Sequence, residues 1–79
     1  MDKHEFEQFV TEHGKDILRF CRMNARSTER GNELYQDTMV KLLEKQKKLD
    51  VAQNIKSYAM QTAILLWKAR KIRRRNRHF

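Results

Sequence analysis

The chain has 79 residues, a single cysteine, no proline and a net charge of +8. A domain this small buries only about 60% of its unfolded surface, and one thiol, Cys21, allows no internal disulfide to supplement the core. No apolar run approaches the roughly 20 residues of a membrane span, and no basic–apolar leader opens the chain, so the expectation is a monomeric, cytoplasmic protein with Cys21 reduced and buried.

The charge is unevenly placed. Residues 1–50 carry ten basic and ten acidic side chains, and every acidic residue lies at or before Asp50, so the whole net charge of +8 sits in the final 29 residues. Such asymmetry is the footprint of a surface meant for a polyanion. Leu, Met, Glu, Lys, Arg, Gln and Ala dominate, strand-like alternation is missing, and the two glycines are Gly14 and Gly31. The expected fold is all-α: one compact bundle of three main helices over about residues 2–23, 28–47 and 54–76, the first kinked or closely contacted at Gly14.

The first segment opens with Asp2 and Glu5 at capping-box spacing. Phe6, Phe9, Val10, His13, Ile17, Phe20 and Cys21 follow at intervals of three and four, which makes one apolar face. His13 on that stripe reads as a packed histidine, because no second ligand stands at metal spacing; His4 and His78 are terminal and expected in solvent. Asn24 to Thr28 is a polar connection, in which Ser27 or Thr28 caps the second helix, with Asn32 as a later alternative start. That helix carries Leu34, Tyr35, Thr38, Met39, Leu42 and Leu43 on its inner side and Glu33, Gln36, Asp37, Val40, Lys41 and Glu44 on its outer side.

Lys47 to Gln53 (KKLDVAQ) is a short loop, and Asn54 is a good N-cap for the third helix. Ile55, Tyr58, Ala59, Thr62, Ala63, Leu66 and Ala69 form its expected inner stripe. A helix of this length spans about 36 Å, so its basic end projects past a bundle of this size. Ile64, Leu65 and Trp67 lie beside or opposite the stripe and require cover, either from the core or from another molecule.

Catalytic chemistry is missing: there is no HExxH, no cysteine pair for zinc, no glycine-rich phosphate loop and no nucleophile with a plausible histidine base. The expectation is a non-enzyme without cofactor or metal. The chemistry present is a basic track, seven Lys and Arg among the ten residues Lys68 to Arg77. Directly upstream, Tyr58 and Trp67 with Asn54, Lys56, Ser57 and Gln61 set aromatic faces and amide or hydroxyl groups beside it. Aromatics beside a positive groove suit unpaired bases, at about 1–3 kcal/mol of stacking per base. Duplex contact at one end and single-strand contact at the other describe a protein that holds a DNA melting junction.

Three stretches together resemble region 2 of the sigma-70 family of bacterial transcription initiation factors, in its extracytoplasmic-function branch. They are FEQFVTEHGKDILRFCRM, NELYQDTMVKLLEK and NIKSYAMQTAILLWKARKIRRR, in the family's order and spacing. The resemblance implies binding to the clamp helices of the beta-prime subunit of RNA polymerase through Glu33, Gln36 and Asp37, with Val40 beside them. It implies that the loop Leu49, Asp50, Val51, Ala52 and Gln53 captures a base flipped out of the minus-ten element. Asn54, Lys56, Ser57, Tyr58 and Gln61 then meet the melted non-template strand, and Lys68, Arg70, Lys71, Arg73 and Arg74 meet upstream duplex backbone. Flipping a base costs a few kcal/mol, which a pocket and stacking offset. Ile64 and Leu65 depart from the family, standing where many relatives carry polar residues, and Lys68 and Arg70 interrupt positions that are often apolar. The family's second domain, which reads the minus-thirty-five element, is not in this chain.

Two other readings compete with this one. In the first, the basic helix binds nucleic acid or another anionic surface without sequence preference. In the second, Ile64, Leu65 and Trp67 form a docking patch for an anti-sigma factor.

Overall fold

The computed structural model describes residues 1–50 and 52–76, with 72–76 described as backbone alone. Among the described residues, three helices make up the fold, α1 (Lys3–Ala25), α2 (Thr28–Glu44) and α3 (Ile55–Asn76), with a 3-10 turn, Gln46–Lys48, after α2. The architecture is all-α, and among the described residues there is no strand.

Each helix starts where a side chain satisfies its orphan amides. The Asp2 carboxylate accepts from the Glu5 N–H at 2.7 Å while the Glu5 carboxylate accepts from the Asp2 N–H at 3.0 Å, a reciprocal capping box. Ser27 accepts from the Arg30 N–H at 3.3 Å, and Asn54 Oδ1 accepts from the Ser57 N–H at 3.1 Å. α1 ends at Arg26, whose φ of 54° places it in the left-handed region. That backbone turn reverses the chain into α2 within two residues.

The core is the meeting of three stripes: Phe9, Ile17, Cys21 and Ala25 from α1; Leu34, Thr38 and Leu42 from α2; Ile55, Ala59, Ala63 and Trp67 from α3. Leu49, from the connection before α3, joins them. Thr38 is the polar member, and its hydroxyl is satisfied by donating to the Leu34 carbonyl at 2.8 Å. Burial pushes the Cys21 thiol above its ordinary range, against a smaller opposite pull from Thr38. The Tyr35 hydroxyl is raised for the same first reason, loss of solvent.

Both glycines mark close approaches. A Cβ on Gly14 would lie 3.1 Å from the Tyr35 hydroxyl, and one on Gly31 would lie 2.4 Å from the Arg22 Cα. Gly14 therefore serves a contact between α1 and α2, and α1 continues through it as α-helix.

Three positions differ from their helical spacing. Leu43 is 55% exposed and Ala69 is exposed, whereas Trp67 is only 7% exposed and belongs to the core. From Leu34 onward the buried stripe of α2 advances by four residues, Leu34–Thr38–Leu42, so Leu43 falls beyond its edge. The stripe of α3 is centred on 55–59–63–67, which takes in Trp67 and leaves Ala69 outside. The second helix also closes three residues early, at Glu44, because the chain tightens into the 3-10 turn.

Candidate nucleic-acid interface

The outer face of α2 is open as its spacing predicts: Glu33, Gln36 and Asp37 are exposed, and Val40 is 52% exposed beside Leu43. A carboxylate pair one helical turn apart, Glu33 and Asp37, thus stands next to a small apolar patch. Both carboxylates are engaged from α3. Arg70 donates to Glu33 at 3.5 Å and to Asp37 at 2.5 Å, and its side chain is 26% exposed. Arg70, grouped by sequence with the duplex-facing track, is thereby the bridge between α3 and the acidic face of α2. Lys68 and Lys71 are exposed, and Arg73 and Arg74 lie outside the residues with described side chains.

The connection before α3 is built around Asp50. Its carboxylate accepts from the Ala52 N–H at 3.0 Å, and its carbonyl accepts from the Gln53 N–H at 2.9 Å, which folds the chain into a tight turn. Leu49 turns inward and is 7% exposed, and its carbonyl accepts from the Met1 ammonium. Leu49 holds the turn to the core, while Asp50, Ala52 and Gln53 face solvent. Val51 lies outside the described residues.

From the first turn of α3, Asn54, Ser57 and Gln61 are exposed, followed on the same side by Leu65 and Lys68. Tyr58 is half-buried, and its hydroxyl accepts from the Lys45 ammonium at 3.3 Å. Lys56 donates to Asp16 of α1 at 2.9 Å. This pair holds the Asp16 carboxyl below its ordinary value, through the hydrogen bond first and the lysine's charge second.

Sequence spacing missed the contribution of α1. A cavity of about 310 Å³ opens between the connection and the N-terminal half of α1, lined by Gln53, Asn54 and Lys56 on one side and Gln8, Glu12 and His13 on the other. His13, read as a packed core residue, sits half-exposed at this cavity with its ring 5.4 Å from that of Phe9. Its helical period put it on the inner stripe, and no local signal marks the stripe's end as a cavity wall.

Among the described residues, no group of three His, Cys, Asp or Glu is placed to hold a metal ion, and no helix is long and apolar enough to cross a membrane. What the arrangement offers is binding: an acidic and apolar face on α2, and a polar, then basic, face along α3 beside a cavity.

Comparison with curated proteins and with solved structures found no match. Residues 9–78, by contrast, match the family described as Sigma-70 region 2. With nearly the whole chain covered, the protein belongs to the Sigma-70 region 2 family, a family of transcription initiation factors and not of enzymes, which acts in recognition of the promoter minus-ten element and in binding RNA polymerase.

Proposed function

We propose that this chain is a promoter-recognition domain of the extracytoplasmic-function type. It binds the clamp helices of the polymerase beta-prime subunit through Glu33, Gln36, Asp37 and Val40. It captures non-template minus-ten bases with the connection 49–53 and with Asn54, Lys56, Ser57, Tyr58 and Gln61, and it meets upstream duplex with Lys68, Lys71, Arg73 and Arg74. The supporting observation is the exposed stripe Asn54–Ser57–Gln61, which borders a cavity of about 310 Å³ at one end and runs to Lys68 at the other. Amide and hydroxyl groups there are free to read base edges while the lysines meet phosphates. Asn54 uses its carbonyl oxygen to cap α3, which leaves its amide N–H₂ for a ligand.

The burial of Trp67 argues against a docking patch of Ile64, Leu65 and Trp67 together, because Trp67 is only 7% exposed. The test is competition among single-stranded oligonucleotides of equal length, one carrying the promoter's minus-ten sequence. At least a tenfold preference, lost on Gln61→Ala with Asn54→Ser, is expected. Equal binding to every oligonucleotide would leave the non-specific anion binder as the better reading.

A further inference from the structure

The turn between α1 and α2 lies alongside the basic half of α3, and the two together enclose an open groove of about 640 Å³ lined by Asn24, Arg26, Ser27, Arg30, Trp67 and Lys71. Among the described residues, no carboxylate lines it. Arg26, Arg30 and Lys71 are all exposed, and none of them takes part in an ion pair among the described residues, unlike Lys56 and Arg70. The Lys71 ammonium sits 5.9 Å from the Trp67 ring centroid, so the indole orients it at the groove. The Asn24 Nδ2 is buried without a hydrogen-bond acceptor, a donor left for whatever enters.

Two of the arginines stand where local stability favours other residues. Arg26 occupies a left-handed position, φ 54°, where glycine or asparagine is the comfortable choice. Arg30 sits in the first turn of α2, where the helix dipole disfavours a cation. A bound anion removes the objection to the charge of Arg30, which it neutralises, and is itself favoured at a helix start, while Arg26 keeps its left-handed backbone and adds a second cation beside it.

We propose that this groove is a second phosphate-binding site, which seats backbone phosphates of duplex DNA and widens the track of α3 onto the α1–α2 turn. The proposal rests on the reading of α3 as a duplex-contacting helix. It adds two contacts, Arg26 and Arg30, from a part of the chain whose net charge is zero overall and which composition therefore did not single out.

The experiment is fluorescence anisotropy of a duplex bound by the whole chain between 50 and 200 mM salt, with thermal melting in parallel. Each lost phosphate contact lowers the slope of log K against log salt by about 0.9, so Arg26→Gln with Arg30→Gln is expected to lower it by about 2. Arg26→Gly is expected to raise the melting temperature by relieving the left-handed backbone while lowering the slope by about 1, which separates DNA contact from folding. Lys68→Gln with Arg73→Gln is the reference for α3. If that reference weakens duplex binding and the Arg26 and Arg30 variants do not, the groove is no DNA site and the reading of α3 stands. If neither pair changes the slope, both are overturned. Titration with inorganic phosphate alone gives a third arm: saturation of the Arg26 and Arg30 side-chain NMR signals at micromolar phosphate would make this a free-anion site and overturn the DNA assignment.

Discussion

Arg70 of α3 lies against Asp37 of α2, and the same guanidinium reaches Glu33 one helical turn away. This contact ties together the surface proposed to meet polymerase and the helix proposed to meet DNA. Both carboxylates are half or more exposed, so solvent screens the pairs and the interaction is worth at most about 1 kcal/mol. Asp37→Arg removes one pair and places two cations side by side, which is expected to lower the melting temperature by about 4–8 °C per kcal/mol lost. Adding Arg70→Asp restores that pair with its charges exchanged and recovers part of the melting temperature, because the new carboxylate loses the second pair and faces Glu33. Affinity for a beta-prime clamp-helix fragment is expected to fall in Asp37→Arg and to stay low in the exchanged double variant. Recovery of affinity together with stability would show that Asp37 acts through folding alone.

The approach of α2 to α1 at Gly31 gives a sharper stability prediction. Alanine is the better helix former by about 1 kcal/mol, yet its Cβ would stand 2.4 Å from the Arg22 Cα, a backbone atom that cannot rotate aside. Gly31→Ala is therefore expected to destabilise the domain by about 1–3 kcal/mol net, read as a lower urea midpoint at unchanged slope. Gly14→Ala meets the Tyr35 hydroxyl at 3.1 Å, the far end of a side chain, and is expected to cost less than Gly31→Ala.

The Asp16–Lys56 pair predicts a pH dependence. Its folded-state carboxyl is held below the unfolded value, so the pair's stabilisation is fully present above that unfolded value, about 3.9, and is lost as pH falls through the lowered folded one. The difference in melting temperature between the parent and Asp16→Asn is expected to be constant from pH 7 to about 5 and to close below about 4. A difference that persisted at pH 2 would mean that Asp16 acts through something other than its charge.

Much of the frame is legible in residue spacing because it is local. Asp2, Ser27 and Asn54 cap the helices they precede, and capping depends on the few residues on either side. The exposure of Glu33, Gln36, Asp37 and Val40 follows from their placement opposite Leu34, Thr38 and Leu42. α3 is the harder case. Ile64, Leu65, Leu66 and Trp67 run consecutively, and four adjacent apolar residues cover every side of a helical turn, so periodicity cannot tell which side is covered. Packing against α1 and α2 buries Trp67 and leaves Leu65 66% exposed, on the same side as Gln61 and Lys68.

By itself the amino-acid order determines three capped helices, the family to which they belong and a net positive charge confined to the last 29 residues. These are properties of neighbouring residues and of composition, and they need no third dimension. Tertiary structure decides which charges are still available. Through contacts 40 and 33 residues apart it commits Lys56 to Asp16 and Arg70 to Asp37, and it brings Arg26 and Arg30 beside Lys71. Coulomb attraction depends on distance in space and not along the chain, so the pairing of these groups is settled only when the helices pack.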